Sequence, residues 1–340
     1  MERKSVYENF YALDKPPFEN VPAPEFLFPS AQHQRALSTL QYALVARIGF
    51  CVVTGDAGTG KTTTVRRVLQ TVDRETCVGL VSNTHCETFE ELMRWILLAF
   101  DLDYENLDKV KMYDEFVQFL IRQYQSGQPV TLIIDEAQNL GLENLEQLRM
   151  LSNVNTEKGQ ILQTILVGQP ELWNMLREPN MKQFVQRISY DCELRPFADA
   201  GLTREYIEHR VRTAGGPEGL FQDDTFELIF AATGGVPRLI NLICDTALIY
   251  GFGESESPIS AGTIRQVIED KQANFNLTGA ADADSPTGIS NQAELGSIDL
   301  SDKSARRKRT VHLRPDSARP DDEGKLSTIE RAALRRKERS

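Results

Sequence analysis

The stretch VVTGDAGTGKTTT, residues 52–64, places a glycine-rich turn directly between a run of β-branched residues and a hydroxyl-rich segment. The run GFCVVTG (49–55) predicts a buried strand, and TTTVRRVLQTV (62–72) predicts a helix, so the turn joins a strand to a helix. Glycines let the backbone wrap until its N–H groups converge on an anion, and the helix adds the positive end of its dipole. The stretch therefore predicts a phosphate cradle in an α/β protein.

The spacing of the turn fits G-x-x-x-x-G-K-[ST], the pattern of loops that hold nucleotide phosphates. A chance fit of a glycine-rich turn does not account for the strand before it and the helix after it. Lys61 is expected to reach the β and γ phosphates, and the Thr62 hydroxyl to bind Mg²⁺. The predicted ligands are therefore a nucleoside triphosphate and Mg²⁺. The residues predicted to bind the nucleotide are Gly55, Asp56, Ala57, Gly58, Thr59, Gly60, Lys61, Thr62 and Thr63.

A second motif, VTLIIDEAQNL (130–140), supplies carboxylates at the end of another apolar run. Because the carboxyl ends of parallel strands share one edge of a sheet, Asp135 and Glu136 are expected beside the phosphate loop. Asp135 is predicted to hold Mg²⁺ through water, and Glu136 to orient and deprotonate the attacking water. An apolar run that ends in Asp-Glu is common by itself, so the prediction depends on its pairing with the first motif.

Composition sets the class of the chain. It has 340 residues, 41% of them hydrophobic and 26% charged, with a formal net charge of −11, which is typical of a globular protein. No run approaches the ~18 apolar residues of a membrane span, and the N-terminus lacks a signal-peptide stretch, so we expect a cytoplasmic protein. Basic residues outnumber acidic ones only from Lys303 onward. The acidic remainder argues against nonspecific nucleic-acid binding, while the basic tail leaves anionic partners open.

Hydrophobic periodicity predicts a parallel five-stranded sheet with helices on both faces, followed by a small all-helical lid domain. The expected strands are 49–55, 76–83, 130–136, 161–168 and 188–194. The predicted domains are an N-terminal leader strap packed on the ATPase core (1–48), a nucleotide-binding domain (49–197), a helical lid (198–275) and a disordered tail with a basic segment and a short C-terminal helix (276–340). An aromatic-rich leader is expected to pass near the adenine.

Further motifs add a resemblance to a known family over about residues 7–273. They are LVGQPEL (166–172), QRI (186–188), GGVPRLIN (234–241), YIEHRVRTAG (206–215), CDTALIYG (244–251) and the leader FYALDKPPFENVPAPEFLFPSAQHQRAL (10–37). Together with the two nucleotide motifs they resemble the AAA+ ATPases, and among these the ExeA/GspA type associated with bacterial secretion and envelope assembly.

The resemblance implies four further site residues, each with a structural alternative. Gln169 matches a polar sensor of the γ-phosphate or the lytic water, and is otherwise a loop glutamine. Asn83 would hold Glu136 in an idle pose, or is only a turn former. Arg187 matches an arginine that reaches across a subunit boundary to a neighbour's ATP, and is otherwise a surface ion pair. Arg238, after the Gly-Gly-Val-Pro turn, would sense the γ-phosphate from the lid.

The implied function is an ATP-hydrolysing switch that forms a homo-oligomer and drives or regulates a secretion, pilus, exopolysaccharide or secretin export system. The larger family members carry a transmembrane segment and a periplasmic domain after the ATPase, so a tie to the inner membrane is expected to run through a partner. An alternative is a DNA-associated regulator related to transposition ATPases, with ARRKRTVHLR (305–314) as its basic segment. A third interpretation is a nucleotide-dependent scaffold that barely turns over.

Overall fold

The computed structural model describes residues 6–46, 49–71, 76–82, 85–152, 155–156 and 159–274. All of these belong to one compact unit, which spans Met1–Ile289. Two features expected from the sequence lie outside the described residues: Asn83, and the tail from 276 to 340 with its basic segment and short helix. Among the helices of the described ranges, none is both long and apolar enough to cross a membrane.

A five-stranded parallel sheet forms the centre of the nucleotide-binding part. Its strands are β1 Phe50–Gly55, β2 Cys77–Val81, β3 Val130–Ile134, β6 Leu162–Gly168 and β7 Ile188–Leu194, and a short antiparallel pair, β4 Asn155–Thr156 and β5 Gly159–Gln160, precedes β6. The strand order is β2-β3-β6-β1-β7, and every neighbouring pair is parallel. The central strands β1, β3 and β6 are buried along their whole length. Such burial requires the near-continuous apolar sequences that identify them.

Helices cover both faces of the sheet and then form a region of their own. Their bounds are α1 Val6–Phe10, α2 Ala31–Ala46, α3 Lys61–Leu69, α4 Phe89–Ala99, α5 Lys109–Gln125, α6 Gly141–Leu151, α7 Glu171–Leu176, α8 Lys182–Val185, α9 Ala200–Thr213, α10 Thr225–Thr233, α11 Pro237–Glu254 and α12 Ala261–Asn274. One apolar cluster lies between the sheet and the side of α4, α5 and α6, and another joins the opposite face to α2 and α3. The predicted α/β fold with a helical C-terminal region is confirmed.

The leader divides between the two parts of the molecule. From Tyr7 to Phe28, every aromatic side chain except that of Phe10 is buried in the apolar cluster of α9–α12, where Phe28 makes edge contacts with Phe197 and Tyr206. Arg210 of α9 donates to the carbonyl oxygen of Pro17 at 2.5 Å and stacks on a ring of the same segment. Only α2 packs on the sheet. The leader was expected to form a strap on the ATPase core; α2 packs there, whereas the aromatic residues of the leader fill the helical region, because its helices leave an apolar face that the sheet does not cover.

The strand order brings three loops together. Strands β1, β6 and β3 are consecutive neighbours and parallel, so their carboxyl ends share one edge. The phosphate loop follows β1, Asp135 and Glu136 follow β3, and Gln169 follows β6. Ligands of open α/β sheets bind at this edge.

Candidate functional site

Three glycines shape the loop between β1 and α3. Gly58 and Gly60 have φ angles of 85° and 95°, in the region that side chains rarely adopt. A Cβ placed on Gly58 would lie 2.5 Å from the Cβ of Arg238, and one on Gly55 would lie 2.1 Å from the carbonyl oxygen of Leu194. The loop therefore requires glycine both for its backbone conformation and for the close approach of its neighbours.

Lys61 opens α3 and points back into the loop. Its Nζ donates to the carbonyl oxygens of Gly55 and Asp56 at 2.7 and 2.9 Å, and the residue is only 5% exposed. Burial lowers the pKa of Lys61, while the surrounding carboxylates, Glu136 first among them, act in the opposite direction. A buried ammonium at a helix N-terminus, in a loop of converging N–H groups, suits a polyanion.

Thr62 and Asp135 meet across the sheet edge. The Thr62 hydroxyl donates to Oδ2 of Asp135 at 2.8 Å, and Oδ1 of Asp135 accepts the backbone N–H of Glu136 at 3.0 Å. A hydroxyl and a carboxylate side by side form an oxygen donor set of the kind that Mg²⁺ prefers. The residues present therefore fit a magnesium ion at this position.

Glu136 is held by two glutamines. It has a φ of 52°, in the left-handed region. Its Oε2 accepts hydrogen bonds from Nε2 of Gln138 at 2.6 Å and from Nε2 of Gln169 at 3.2 Å. Oε1 of Gln138 in turn accepts the backbone N–H of Gln169 at 3.0 Å. Backbone strain at a carboxylate with two donors fixed on it is a pattern found at active sites.

The sequence interpretation overlooked Gln138, although the residue stands in the quoted motif two positions after Glu136. Among the described residues, the side chains of Gln138 and Gln169 donate to Glu136. Asn83, for which the resemblance implied the role of restraining Glu136, lies outside the described residues. Gln169 thus lies where a sensor is expected, and its side chain contacts the carboxylate of Glu136.

Arg238 belongs to the first turn of α11, in the helical region, and lies against the loop. Its backbone N–H donates to the carbonyl oxygen of Gly58 at 3.2 Å, and its side chain is exposed. Pro237 begins the helix, where the missing N–H costs nothing. The helical region therefore contacts the phosphate loop directly through the start of this helix.

Arg187 lies away from the other predicted site residues. It immediately precedes β7, so it lies at the amino edge of the sheet, and a strand of six or seven residues spans about 20 Å to the opposite edge. Its Nη1 donates to Oγ of Ser152 at 2.9 Å and to the carbonyl oxygen of Arg149 at 3.2 Å, where α6 ends. The structure does not bring Arg187 to the loop of its own chain.

The leader contacts the loop through His33, which the sequence interpretation did not assign to the site. His33 lies in the first turn of α2, is 3% exposed, and places Nε2 3.2 Å from the carbonyl oxygen of Thr59. Its Nδ1 lies 2.7 Å from the Oγ of Ser30, the residue that precedes the helix. The quoted leader motif contained both residues, but nothing in its spacing indicated a contact with the loop.

Comparison with known proteins gives one matching family, one curated relative and several solved structures of similar fold. Residues 46–176 match the AAA domain family. General secretion pathway protein A of Aeromonas hydrophila is 37% identical over 260 residues, which cover 76% of this chain and 47% of that protein. The chain thus spans about half the length of this relative.

Solved structures show the fold. The ORC2 protein of Aeropyrum pernix aligns with a TM-score of 0.61 at 15% identity, covering 76% of this chain and 72% of that one. A Walker-type ATPase of Pyrococcus abyssi aligns with a TM-score of 0.53 at 16% identity, covering 76% and 77%.

Proposed function

Because the chain belongs to the AAA+ ATPases of the ExeA/GspA type, we propose that it binds ATP with Mg²⁺, hydrolyses it to ADP and phosphate, and uses the change to reposition its helical region. The carboxylate of Glu136, fixed by Gln138 and Gln169 beside the Thr62–Asp135 pair, is the observation that supports hydrolysis best. A chain that only bound nucleotide would have no need of a restrained carboxylate at this position.

Each residue of the site has a definite part in this proposal. The N–H groups of the loop and the ammonium of Lys61 bind the β and γ phosphates, and Thr62 and Asp135 hold the magnesium ion. When bound, that ion offsets negative charge on the phosphate oxygens. When the nucleotide binds, Lys61 exchanges its hydrogen bonds to two carbonyl oxygens for hydrogen bonds to phosphate, which are stronger because the phosphate oxygens are charged.

Glu136 is the proposed general base. It accepts a proton from a water molecule whose oxygen attacks the γ phosphorus, and the bond from that phosphorus to the bridging oxygen of ADP breaks. Gln138 and Gln169 position the carboxylate, since both donate to its Oε2. Gln169 follows β6 at the centre of the edge, so it also connects the state of the phosphate to the state of the base.

The helical region is the proposed moving part. Arg238 contacts the loop at Gly58 through its backbone, and its exposed guanidinium is available to the γ phosphate. Loss of that phosphate on hydrolysis removes one set of contacts between the helical region and the sheet. Binding and hydrolysis therefore favour different positions of α11.

Arg187 is proposed to act on the nucleotide of a neighbouring copy. Its place at the amino edge keeps it from its own loop, and a guanidinium beside the γ phosphate of a neighbour offsets charge that develops during transfer. Mixing the variants Arg187→Ala and Glu136→Gln tests this role, because each supplies what the other lacks. We expect mixed oligomers to regain activity that neither variant has alone; a mixture as inactive as its components would contradict action between subunits.

The proposed partner is a protein of an envelope export system. This proposal rests on the similarity to General secretion pathway protein A. A DNA-associated role remains the alternative. The likeness to the Aeropyrum pernix ORC1 protein in complex with DNA, at 17% identity, is one of fold alone. The basic segment 305–314 lies outside the described residues. Salt-dependent retention on duplex DNA that is abolished by deleting residues 303–340 would favour the alternative.

The central experiment compares Lys61→Ala with Glu136→Gln in the full chain. Lys61→Ala is expected to lose ATP binding, whereas Glu136→Gln is expected to bind ATP with unchanged affinity and to lose turnover. Nucleotide affinity is measured by titration with a fluorescent ATP analogue, and turnover by phosphate release. Full turnover in Glu136→Gln would remove the proposed base. The Glu136→Gln protein trapped with ATP is also the bait of choice for isolating the partner.

A further inference from the structure

His33 and Ser30 form a hydrogen-bonded pair that is buried against the phosphate loop and has no part in the chemistry above. Both are less than 9% exposed, and Ser30 directly precedes α2, where its carbonyl oxygen accepts the N–H of Gln34 at 2.9 Å. The carbonyl oxygen of Thr59 can only accept a hydrogen bond, so Nε2 of His33 carries the proton in this contact. The Ser30 hydroxyl then donates to Nδ1 at 2.7 Å and fixes that tautomer.

The contact controls one peptide group of the loop. A trans peptide points its C=O and the following N–H in opposite directions. When His33 holds the carbonyl oxygen of Thr59 on the outer side of the loop, the N–H of Gly60 in the same peptide plane points to the inner side. Gly60 itself lies in the left-handed region with a φ of 95°, and a Cβ there would come 3.2 Å from Nε2 of His33. The histidine thus lies directly behind the peptide that it holds.

We propose that His33, held in one tautomer by Ser30, is a positioning residue that orients the Thr59–Gly60 peptide so that the Gly60 N–H points at the bound phosphates. This inference rests on the proposed function, because it assumes that the loop binds ATP. It adds to that function a residue of the leader, 26 positions before the peptide it controls.

The state of the histidine agrees with this role. Burial lowers the pKa of His33, while its bond to the Thr59 carbonyl acts in the opposite direction. The imidazole ring is therefore kept neutral near pH 7, and its single N–H is the group that donates to the carbonyl oxygen of Thr59. If His33 does not donate to it, the buried carbonyl oxygen of Thr59 loses a hydrogen bond, and this loss favours rotation of the Thr59–Gly60 peptide.

Two isosteric variants of His33 separate the contact from the packing. The amide nitrogen of glutamine occupies nearly the position of Nε2, so His33→Gln keeps a donor for the Thr59 carbonyl. The polar atoms of asparagine reach only the position of Nδ1, so His33→Asn keeps a partner for Ser30 and loses the donor. We expect His33→Asn to raise the Kd for both ATP and ADP about three- to tenfold, the worth of one hydrogen bond, and His33→Gln to stay within about twofold of the wild type.

Thermal stability and hydrogen exchange complete the test in the full chain. Amide exchange in a peptide that covers residues 55–62 is expected to rise in His33→Asn and not in His33→Gln. Equal losses of affinity in the two variants, in proportion to their losses of thermal stability, would show that the histidine only packs. If His33→Asn does not fold, Ser30→Ala carries the test, because it frees the tautomer and should raise the Kd about twofold or more; an unchanged Kd would overturn the proposal.

Lys61→Ala, measured in parallel, separates this inference from the proposed function. If Lys61→Ala binds ATP as the wild type does, the loop is not the nucleotide site and the proposed function fails. If Lys61→Ala loses binding while both His33 variants bind normally, only the role of His33 is refuted.

Discussion

The contact between Gly58 and Arg238 is the point where the helical region meets the phosphate loop, and Gly58→Ala is the smallest change that disturbs it. The new methyl carbon would lie 2.5 Å from the Cβ of Arg238 and 3.3 Å from its Cδ. Carbon atoms in contact lie about 3.5–4.0 Å apart. Either the start of α11 must therefore move by about 1 Å or more, or the loop must change its path.

The expected magnitude has two parts. Gly58 has a φ of 85°, and an L residue in the left-handed region costs about 1–2 kcal/mol. Overpacking against a backbone-proximal atom adds typically about 1–3 kcal/mol. Gly58→Ala should thus lower the free energy of unfolding by about 2–5 kcal/mol. Displacement of α11 should also reduce ATP turnover, because the position of Arg238 changes with it.

Gly127 provides the matched control. Its φ is 77°, and a Cβ there would meet nothing within 4 Å, so Gly127→Ala introduces the backbone strain without the clash. Urea denaturation of the two variants isolates the steric part, and phosphate release gives turnover. The double variant Gly58→Ala/Arg238→Gly removes the clashing Cβ and should recover part of the lost stability. A Gly58→Ala protein as stable and as active as Gly127→Ala would refute the contact between the helical region and the loop.

Three further outcomes follow from the site. Removal of either glutamine that holds Glu136, in Gln138→Ala or Gln169→Ala, should lower kcat about 10- to 150-fold with little change in KM, because a hydrogen bond to a charged group is worth about 1.5–3 kcal/mol. Steady-state kinetics checks this, and a change confined to KM would contradict it. Arg187→Ala should leave ATP affinity unchanged and lower turnover about 10³-fold at every protein concentration. Arg195→Ala, which removes an exposed ion pair, should leave turnover unchanged, and equal turnover in the two variants would contradict the role of Arg187 in hydrolysis. Burial lowers the pKa of His33 and of His209, so the unfolded chain binds a proton at each of these side chains more readily than the folded chain does. The free energy of unfolding from this source is therefore highest above about pH 6.5, and below that pH it falls by at most about 1.4 kcal/mol per pH unit for each histidine until the folded-state pKa is reached. Urea midpoints at about pH 7.5 and about pH 5.5 measure the slope, which the double variant with glutamine at both positions should flatten; an unchanged slope would show that other groups cause it.

The fold could be predicted because its sequence signals are local. The strands β1, β3 and β6 are buried along their whole length and mostly apolar in sequence, and each begins and ends within two residues of its expected bounds. The pair β4–β5 was not predicted, since strands of two residues have no periodicity to detect. The parallel direction of the strands then followed from the alternation of strands with helices, whereas their order in the sheet was not predicted.

The position of the leader could not be predicted in the same way. Its aromatic residues indicated burial but not the surface that buries them. The contacts that fix it are long-range: the hydroxyl of Tyr7 donates to Asp245 at 2.8 Å, and the hydroxyl of Tyr11 donates to the carbonyl oxygen of Leu248 at 3.2 Å. Pairs separated by more than two hundred residues leave no trace in the spacing of a single sequence.

The restraint on Glu136 shows the same limit inside the site. The motif located the carboxylate, because a charged residue at the end of a buried strand must lie at the sheet edge. Its partners depend on the course of two loops, and Gln138 reaches both Glu136 and the backbone of Gln169 only because the chain turns after β3 through a left-handed residue. Side-chain partners of this kind can be identified only from the folded path of the chain.

The phosphate loop is held from two sides, by α2 of the leader and by the start of α11. Arg238 donates to the carbonyl oxygen of Gly58, and His33 contacts that of the next residue, Thr59. Arg238 lies in the first turn of α11, whose Ile240 lies in the same cluster as Phe28, five residues before His33. Under the proposed function, a movement of the helical region on loss of the γ phosphate would therefore pull on two consecutive peptides of the loop at once. The leader thus joins the two parts of the molecule, because its aromatic segment packs in the helical region and α2 packs on the sheet. Under the role proposed for His33, the affinity for nucleotide depends on the leader although none of its residues belongs to the phosphate-binding motif.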